Sequence, residues 1–447
     1  MKLRVLLINP WIYDFSAYNL WARPLGLYKV AEYLSSFDVE LSLIDCMECS
    51  DSKIFCTGKY RFEAVPKPAI LEGFKGKFKR YGMSVADFRL KLGKSGLADI
   101  VIMTSVMAYW YPGVQSCISI IREEMGDIPI ILGGIYATLY HDHASRNSGA
   151  DFVYRGEVSQ ALKFAISTFG FKLKMKGPMH SYYDIFRDMN SQYSPLLTSS
   201  GCPFRCSYCA SQLLSDFKQR SPDAVFSEII SLHSRGVEDM AFYDDALLID
   251  ADNHIKPILR GVIDAGLDIR FHTPNGLHAA LIDHEIAALM KKSGFQTLRL
   301  SLETVNTGRQ TASGGKVRNS DLVRAIDALM DTGFRNRQVG VYVMIGLPKQ
   351  DIREVRESIE FVKQIGARIC LTEFSPIRGT RSWDELIAAG IINDDLDPIL
   401  TNNSVFTFLL SDYAINEIQK IKLDVKEYNL QYTSCFQKDI MYQALEN

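Results

Sequence analysis

Residues 201–211 read GCPFRCSYCAS and place Cys202, Cys206 and Cys209 in a C-x3-C-x2-C spacing, directly after the apolar, strand-like run at 194–198. Three thiolates on one short loop can hold three irons of a [4Fe–4S] cube and leave the fourth iron open, and soft sulfur ligands suit such clusters. A structural zinc knuckle is the competing reading, but it wants four ligands, and no paired CxxC or HxxxH follows to complete one. The strand-to-loop setting supports the cluster.

The surrounding composition is that of an ordinary globular protein. The chain has 447 residues, 47% apolar and 23% charged, and its length favours two or three domains. A formal net charge of −2 provides no basic field, which argues against nucleic acid as a partner. Residues 1–9 (MKLRVLLIN) read as a strand rather than a signal peptide, and no apolar run reaches the ~20 residues of a membrane helix. Nine cysteines, three of them clustered, point to a reducing, cytoplasmic setting rather than a disulfide framework.

Working outward from the cysteine loop, βα units follow one another to about residue 380. Strand-like runs at 239–243, 269–272, 297–302, 339–345 and 369–374 end in Asp244-Asp245, His272, Glu303, Gly346 and the SPIRGT segment. With the first strand they make six βα units, a partial TIM-like barrel whose chemistry belongs at the carboxyl ends of the strands. Before the loop, apolar runs at 3–8, 39–44, 100–104, 128–132 and 151–154 alternate with helical patterns. Pro24 opens one helix, with Leu27, Val30, Ala31 and Leu34 on one face. Repeated βαβ units imply a doubly wound, Rossmann-like parallel sheet with its ligand beyond the strand ends. The expected fold is thus α/β. The first domain spans 1–165 with an insertion at 46–97, followed by a linker at 166–193. The partial (βα)6 barrel covers 194–385, and a small C-terminal region covers 386–447.

The cysteine run, with Tyr208 before its third cysteine, resembles the cluster motif of the radical SAM superfamily. The N-terminal series INP, RPLGLYKVAEYL, LID, LGG and RGE resembles the cobalamin (B12)-binding domain that precedes many such cores. These resemblances imply a [4Fe–4S] cluster, S-adenosylmethionine and cobalamin as cofactors, with Cys202, Cys206 and Cys209 as metal ligands. They imply S-adenosylmethionine contacts from Tyr208, Asp244, Asp245, Ser301, Glu303 and Gly346. Capping of the following helix is the bland alternative for the two aspartates. They imply cobalamin contacts from Thr104, Ser105, Gly133, Gly134, Gly156 and Glu157, the hydroxyls donating and the glycines letting backbone approach a bulky ligand. The D-x-H-x-x-G signature is absent, so the protein supplies no histidine beneath a cobalt.

The implied activity is a cobalamin-dependent radical SAM methyltransferase acting on an unactivated carbon of a small-molecule or natural-product substrate. An electron donor such as flavodoxin or ferredoxin would serve it. Radical cyclisation, ring contraction or C–C coupling is the alternative within enzymes, and a non-catalytic cobalamin or metal sensor the alternative outside them. His272, Asn275 and His278 face the expected substrate space without an assigned catalytic role. Arg378 is placed either to meet an anionic substrate or to cap the barrel mouth. Cys46, Cys49 and Cys56 match no ligand spacing and read as free thiols, as does Cys435. The basic, aromatic segment with Phe74, Phe78 and Tyr81 is a candidate cover for the ligand entrance, and Asn402, Asn403, Phe406, Phe408 and Tyr413 are candidate lid residues.

Overall fold

The computed structural model describes residues 2–48, 60–96, 98–156, 158–186, 192–409 and 415–433. The chain forms two compact units, residues 1–191 with 395–402, and residues 192–394 with 403–447. Among the described residues no helix is long and apolar enough to cross a membrane.

The first unit is built on five parallel strands, β1 (Leu3–Asn9), β2 (Val39–Asp45), β3 (Ile100–Met103), β4 (Ile130–Leu132) and β5 (Phe152–Val153), in the order β2-β1-β3-β4-β5. The β1 run is continuously apolar because it lies between two strands, and Val5, Leu6, Leu7 and Ile8 are at most 1% exposed. The helix Leu25–Ser35 starts behind Pro24 and buries Leu27, Val30, Ala31 and Leu34, the stripe its spacing predicts. These join Leu7, Ile102 and Ile131 in one core cluster. Each such fully buried aliphatic side chain contributes about 1.5–3 kcal/mol.

The insertion folds back on the strand ends. Phe62–Ala64 and Lys79–Tyr81 form an antiparallel sheet with Ile12–Asp14, just beyond β1. Trp11 Nε1 donates to the Met83 carbonyl at 2.9 Å. The expected aromatic cover is therefore internal packing in part: Phe78 and Tyr81 are buried, and Phe78 meets Phe15 edge-on at 5.4 Å. Cys46 is buried with its Sγ 3.9 Å from that of Cys117, both thiols free. Cys49, Cys56 and Cys435 lie outside the described residues.

Two boundaries differ from the sequence-based expectation. The stretch expected as a linker is packed on the first unit, with Tyr182 stacked on Tyr28 at 4.3 Å and Asp38 N donating to the Lys174 carbonyl at 2.8 Å. Residues 395–402, expected in the C-terminal region, also belong to that unit. Asn402 donates to Asp14 at 3.0 Å and Asp397 accepts from Tyr111 at 3.3 Å, so Asn402 is a buried anchor rather than lid material.

The second unit carries six parallel strands in sequence order: β6 (Tyr193–Leu196), β7 (Asp239–Phe242), β8 (Arg270–His272), β9 (Phe295–Glu303), β10 (Val339–Ile345) and β11 (Arg368–Glu373). The helix Ile415–Thr433 covers the free edge of β11: Asn429 accepts from Ile369 N and donates to Ile369 O, which blocks further strand pairing there. Phe406 is core, in a cluster with Leu347, Phe374 and Leu386. Tyr413 lies outside the described residues.

Candidate functional site

The site is at the carboxyl ends of β6 to β11. The loop after β6 is pinned at its base, where Ser199–Ser200 pairs with Lys218–Gln219. Gly201 has φ +66, and a Cβ there would lie 2.5 Å from the Ser215 carbonyl oxygen, so only glycine lets the two legs of the loop approach so closely. The cysteine segment is then held from three sides. Ser207 N donates to Ser313 O at 3.0 Å, Ser382 N donates to Ser207 O at 2.8 Å, and Phe204 stacks on His278 at 4.5 Å. Gly314 (φ +124) would bring a Cβ within 3.2 Å of Cys206 N, so its lack of a side chain admits the loop.

Cys202 and Cys206 are half-buried and Cys209 is exposed. Burial pushes the Cys202 thiol up to about 11 and raises Cys206, with the neighbouring thiols adding to both shifts. Thiols so placed stay protonated until a metal displaces the proton. Among the described residues no three Cys, His, Asp or Glu side chains converge as ligands of a single ion. A cubane places each sulfur on a separate iron, so three thiols spread along one loop suit its chemistry.

Opposite stands an ion pair that sequence reasoning half missed. Glu303, the last residue of β9, accepts from Lys316 Nζ at 3.1 Å, with the two side chains 11% and 14% exposed. Burial opposes the charge on Lys316, yet the Glu303 carboxylate holds the ammonium above the ordinary lysine range. The ammonium also lies 5.9 Å from the Tyr208 ring centroid. Burial raises the Tyr208 hydroxyl out of reach of deprotonation near neutrality, so the ring is a neutral wall. Glu303 has φ +63, and the β9–β10 register shifts between Ser301 and Glu303. A non-glycine residue in that region is strained by about 1–3 kcal/mol and persists only where its surroundings impose it. Lys316 follows Gly314-Gly315, and a lysine after two glycines reads as a solvated turn; nothing local announces its partner.

Asp244 and Asp245 have different environments. Asp244 is 4% exposed, and its Oδ1 accepts from Thr198 N (2.9 Å), Thr198 Oγ1 (2.7 Å), Ser199 N (2.6 Å) and Ser199 Oγ (2.6 Å). It ties the end of β7 to the turn beyond β6, and its buried Oδ2 has no hydrogen-bond partner among the described residues. Burial raises its carboxyl despite those donors. Asp245 is exposed and lies near Cys202, whose thiol its charge raises.

Ser301 is covered rather than open, since a Cβ on Gly276 would fall 2.3 Å from its Oγ. Gly346 (φ +90) is fixed by Gln350, whose Oε1 accepts from Gly346 N at 2.9 Å and Leu347 N at 3.2 Å. His272 is scaffold, bonded to Thr297 at 2.9 Å and Asp239 at 2.9 Å. Asn275 donates to the Tyr243 carbonyl at 2.8 Å. His278 is buried against Phe204, and burial lowers it to about 4, so it is neutral. Arg378 pairs with Asp394 at 2.6 Å, which gives it a partner within its own unit.

In the first unit the carboxyl ends of the strands look different. Asn9 donates to Asp45 at 2.7 Å, and Arg23 lies 3.7 Å from the same carboxylate. Ser105 Oγ donates to the Gly133 carbonyl at 2.7 Å, so its hydroxyl proton is committed inside the protein. A Cβ on Gly133 would meet the Tyr154 ring at 2.5 Å, and one on Gly134 (φ +95) would lie 2.2 Å from Ser105 O. Both glycines thus serve close internal packing at the strand ends. Gly156 (φ +108) has open space around it, and Thr104 is half-buried beside β1. Glu157 lies outside the described residues.

Residues 196–362 match the family model described as the Radical SAM superfamily, and the chain carries a radical SAM domain over that span. It is 23% identical over 330 residues to a protein of Pyrococcus horikoshii named an uncharacterized methyltransferase, covering 66% of this chain and 70% of that one. Its fold is similar to that of TsrM from Kitasatospora setae, a radical S-adenosylmethionine methyltransferase solved with cobalamin and a [4Fe–4S] cluster bound. The TM-score is 0.62 at 15% identity, over 87% of this chain and 75% of that one. It is also similar to OxsB, a cobalamin-dependent S-adenosylmethionine radical enzyme, with a TM-score of 0.55 at 12% identity, over 89% of this chain and 56% of that chain.

Proposed function

We propose that this radical SAM chain is a cobalamin-dependent methyltransferase that transfers a methyl group to an unactivated carbon of a small molecule. The observation that carries the reading is the braced loop with Cys202, Cys206 and Cys209, facing a buried Glu303–Lys316 pair. A [4Fe–4S] cluster bound there supplies the electron for reductive cleavage of S-adenosylmethionine.

The residues present fit that cofactor pair. The three cysteines would hold the cluster, Cys202 and Cys206 from half-buried positions and Cys209 from an exposed one. Lys316 meets the carboxylate of the methionine moiety, while Glu303 and Asp245 meet its ammonium. This exchange lets the ion pair open without leaving either charge bare. Asp244 positions the turn at Thr198 and Ser199 rather than touching the nucleotide. Tyr208 walls the site with a neutral ring, and Gly346 would let backbone come close to the adenine.

For cobalamin the fit is narrower than the sequence suggested. The strand order β2-β1-β3-β4-β5 reverses between β1 and β3, the crevice where doubly wound sheets bind ligands. Thr104 and Gly156 remain open to a ligand at that edge, whereas Ser105, Gly133 and Gly134 shape the edge from within. The likeness to TsrM and OxsB extends over this unit as well as the barrel and supports the assignment. An electron donor of the flavodoxin or ferredoxin kind, and a reducing cytoplasm, complete the proposal.

Anaerobic reconstitution with iron, sulfide and hydroxocobalamin tests it. The expected result is a cluster and a corrin in the absorbance spectrum. With reductant, 5′-deoxyadenosine and S-adenosylhomocysteine should form as a substrate is methylated. A cluster with deoxyadenosine but no corrin and no S-adenosylhomocysteine would replace methyl transfer by another radical reaction. No deoxyadenosine at all would overturn the enzyme.

A further inference from the structure

Part of the barrel wall has no role in the site just described. Arg299 on β9 lies level with Gly340 on β10, which lies level with Arg368 on β11. Level residues on neighbouring parallel strands share a face. The alternate residues, Leu298, Leu300, Val339, Val341 and Ile369, are at most 2% exposed on the other face, toward the helices. Arg299, Arg368, Tyr342 and Cys370 are half-buried on the inner face.

Neither guanidinium has a carboxylate within ion-pair distance among the described residues. Arg299 Nη1 donates to its neighbour's carbonyl, Leu298 O, at 3.0 Å. Arg368 is held below the ordinary arginine range, first by burial and then by the positive charge of Arg299. Two partly buried cations facing each other without an anion are unfavourable, and a bound anion relieves both the burial and the repulsion.

The residue between them leaves room for the Arg299 side chain to lie across β10 toward β11. A Cβ on Gly340 would lie 2.7 Å from Cys370 Sγ and 3.1 Å from both Cδ and Nη1 of Arg299. With strands about 4.8 Å apart, the two arginine Cα atoms stand roughly 10 Å from each other across the glycine. Two forked guanidiniums at that spacing can close on a single carboxylate or phosphate group. Arg299 precedes Glu303 by four residues on one strand, at most roughly 13 Å at the rise of a parallel strand, and the register shift between Ser301 and Glu303 shortens that span.

We propose that Arg299 and Arg368, with Gly340 between them, form an anion subsite on the barrel wall that anchors the carboxylate or phosphate group of the substrate. Naming the anion as the substrate's rests on the proposed radical SAM activity; the subsite itself does not. The substrate class is an anionic small molecule long enough to run along the wall from this subsite to the Glu303 end of β9.

The test uses the full-length, anaerobically reconstituted protein, with inorganic phosphate and acetate as probes and chloride at matched ionic strength as control. Phosphate or acetate should raise the melting temperature of the wild type in a saturable way, and calorimetry should give a dissociation constant. Arg299→Gln and Arg368→Gln should each weaken that binding about tenfold or more. In chloride both variants should melt at or above the wild-type temperature, because their mutual repulsion is gone. A stronger phosphate response assigns a phosphorylated substrate, and a stronger acetate response a carboxylic acid. No saturable response in the wild type, equal responses in the variants, or variants that melt well below the wild type in chloride would each overturn the subsite. Neither readout needs S-adenosylmethionine or reductant. Failure here therefore leaves the cluster assignment standing, and a protein that binds the anion but never cleaves S-adenosylmethionine loses the activity and keeps the subsite.

Discussion

The two parallel sheets of this chain present their carboxyl ends in opposite chemical states. At the first sheet the polar groups answer one another: Asn9 and Arg23 address Asp45, and Ser105 addresses Gly133. At the second, functional groups stand in tension. Asp244 keeps a buried oxygen with no hydrogen-bond partner among the described residues, Glu303 sits at positive φ against a buried lysine, and three thiols are held without mutual bonding. The first edge is held mainly by hydrogen bonds among its own groups, whereas the second holds a backbone-strained carboxylate and a buried charge pair beside three thiols. Strand-end position alone does not mark an active residue; what matters is whether the group's hydrogen-bonding or charge requirement is already met by the protein.

The largest effect that would break this contrast is at the cysteine loop. Cys206→Ala should abolish the cluster absorbance and bring S-adenosylmethionine cleavage to background. A variant that still turned over would make the second edge no more reactive than the first. Next is Lys316→Met, which leaves Glu303 buried without its partner and should cost about 3–5 kcal/mol in denaturant unfolding. The Glu303→Gln, Lys316→Met double variant should recover much of that loss, and the coupling from the double-mutant cycle measures the pair. Additive losses would show that the two do not act together.

Gly134→Ala probes the first edge. It combines a φ of +95 with a contact 2.2 Å from Ser105 O, so it should destabilise by about 2–3 kcal/mol. Gly156→Ala, equally positive in φ but in open space, should cost less, and its effect should appear as weaker corrin retention. If the two variants traded places, Gly134 rather than Gly156 would face the ligand.

The smallest effect is a pH slope. His278 is depressed to about 4 by burial, against roughly 6.5 for a free histidine. The unfolded chain therefore binds the proton first on acidification. The stability His278 contributes is complete above about pH 6.5 and is lost as the pH falls toward 4. Between pH 7 and 5 the wild type should lose about 1–2 kcal/mol more than His278→Phe, a variant that keeps the stack on Phe204. Parallel losses in urea titrations at the two pH values would show that His278 does not titrate there.

Part of the fold is encoded locally in the chain. Continuous apolar runs such as residues 3–8 identify buried parallel strands because both faces of such a strand meet protein. The helix stripe of Leu27, Val30, Ala31 and Leu34 follows from a 3.6-residue period alone. Tertiary packing moved some features from their expected places. Residues 395–402 returned to the first unit because Asp14 and Tyr111 offer partners far away in sequence. Ser105 turned inward to a carbonyl that only the β3–β4 pairing brings near.

The alternation of strands and helices, the switch from one βα series to the next, and the three-cysteine loop are legible in the chain, since each depends on neighbours within a few residues. That Lys316 meets Glu303, that Asp244 serves the turn beyond β6, and that Arg299 and Arg368 flank Gly340 emerge from the folded chain alone. Those pairings depend on strand register and burial, and a side chain's charge or proton state follows from the groups packed against it rather than from its neighbours along the chain.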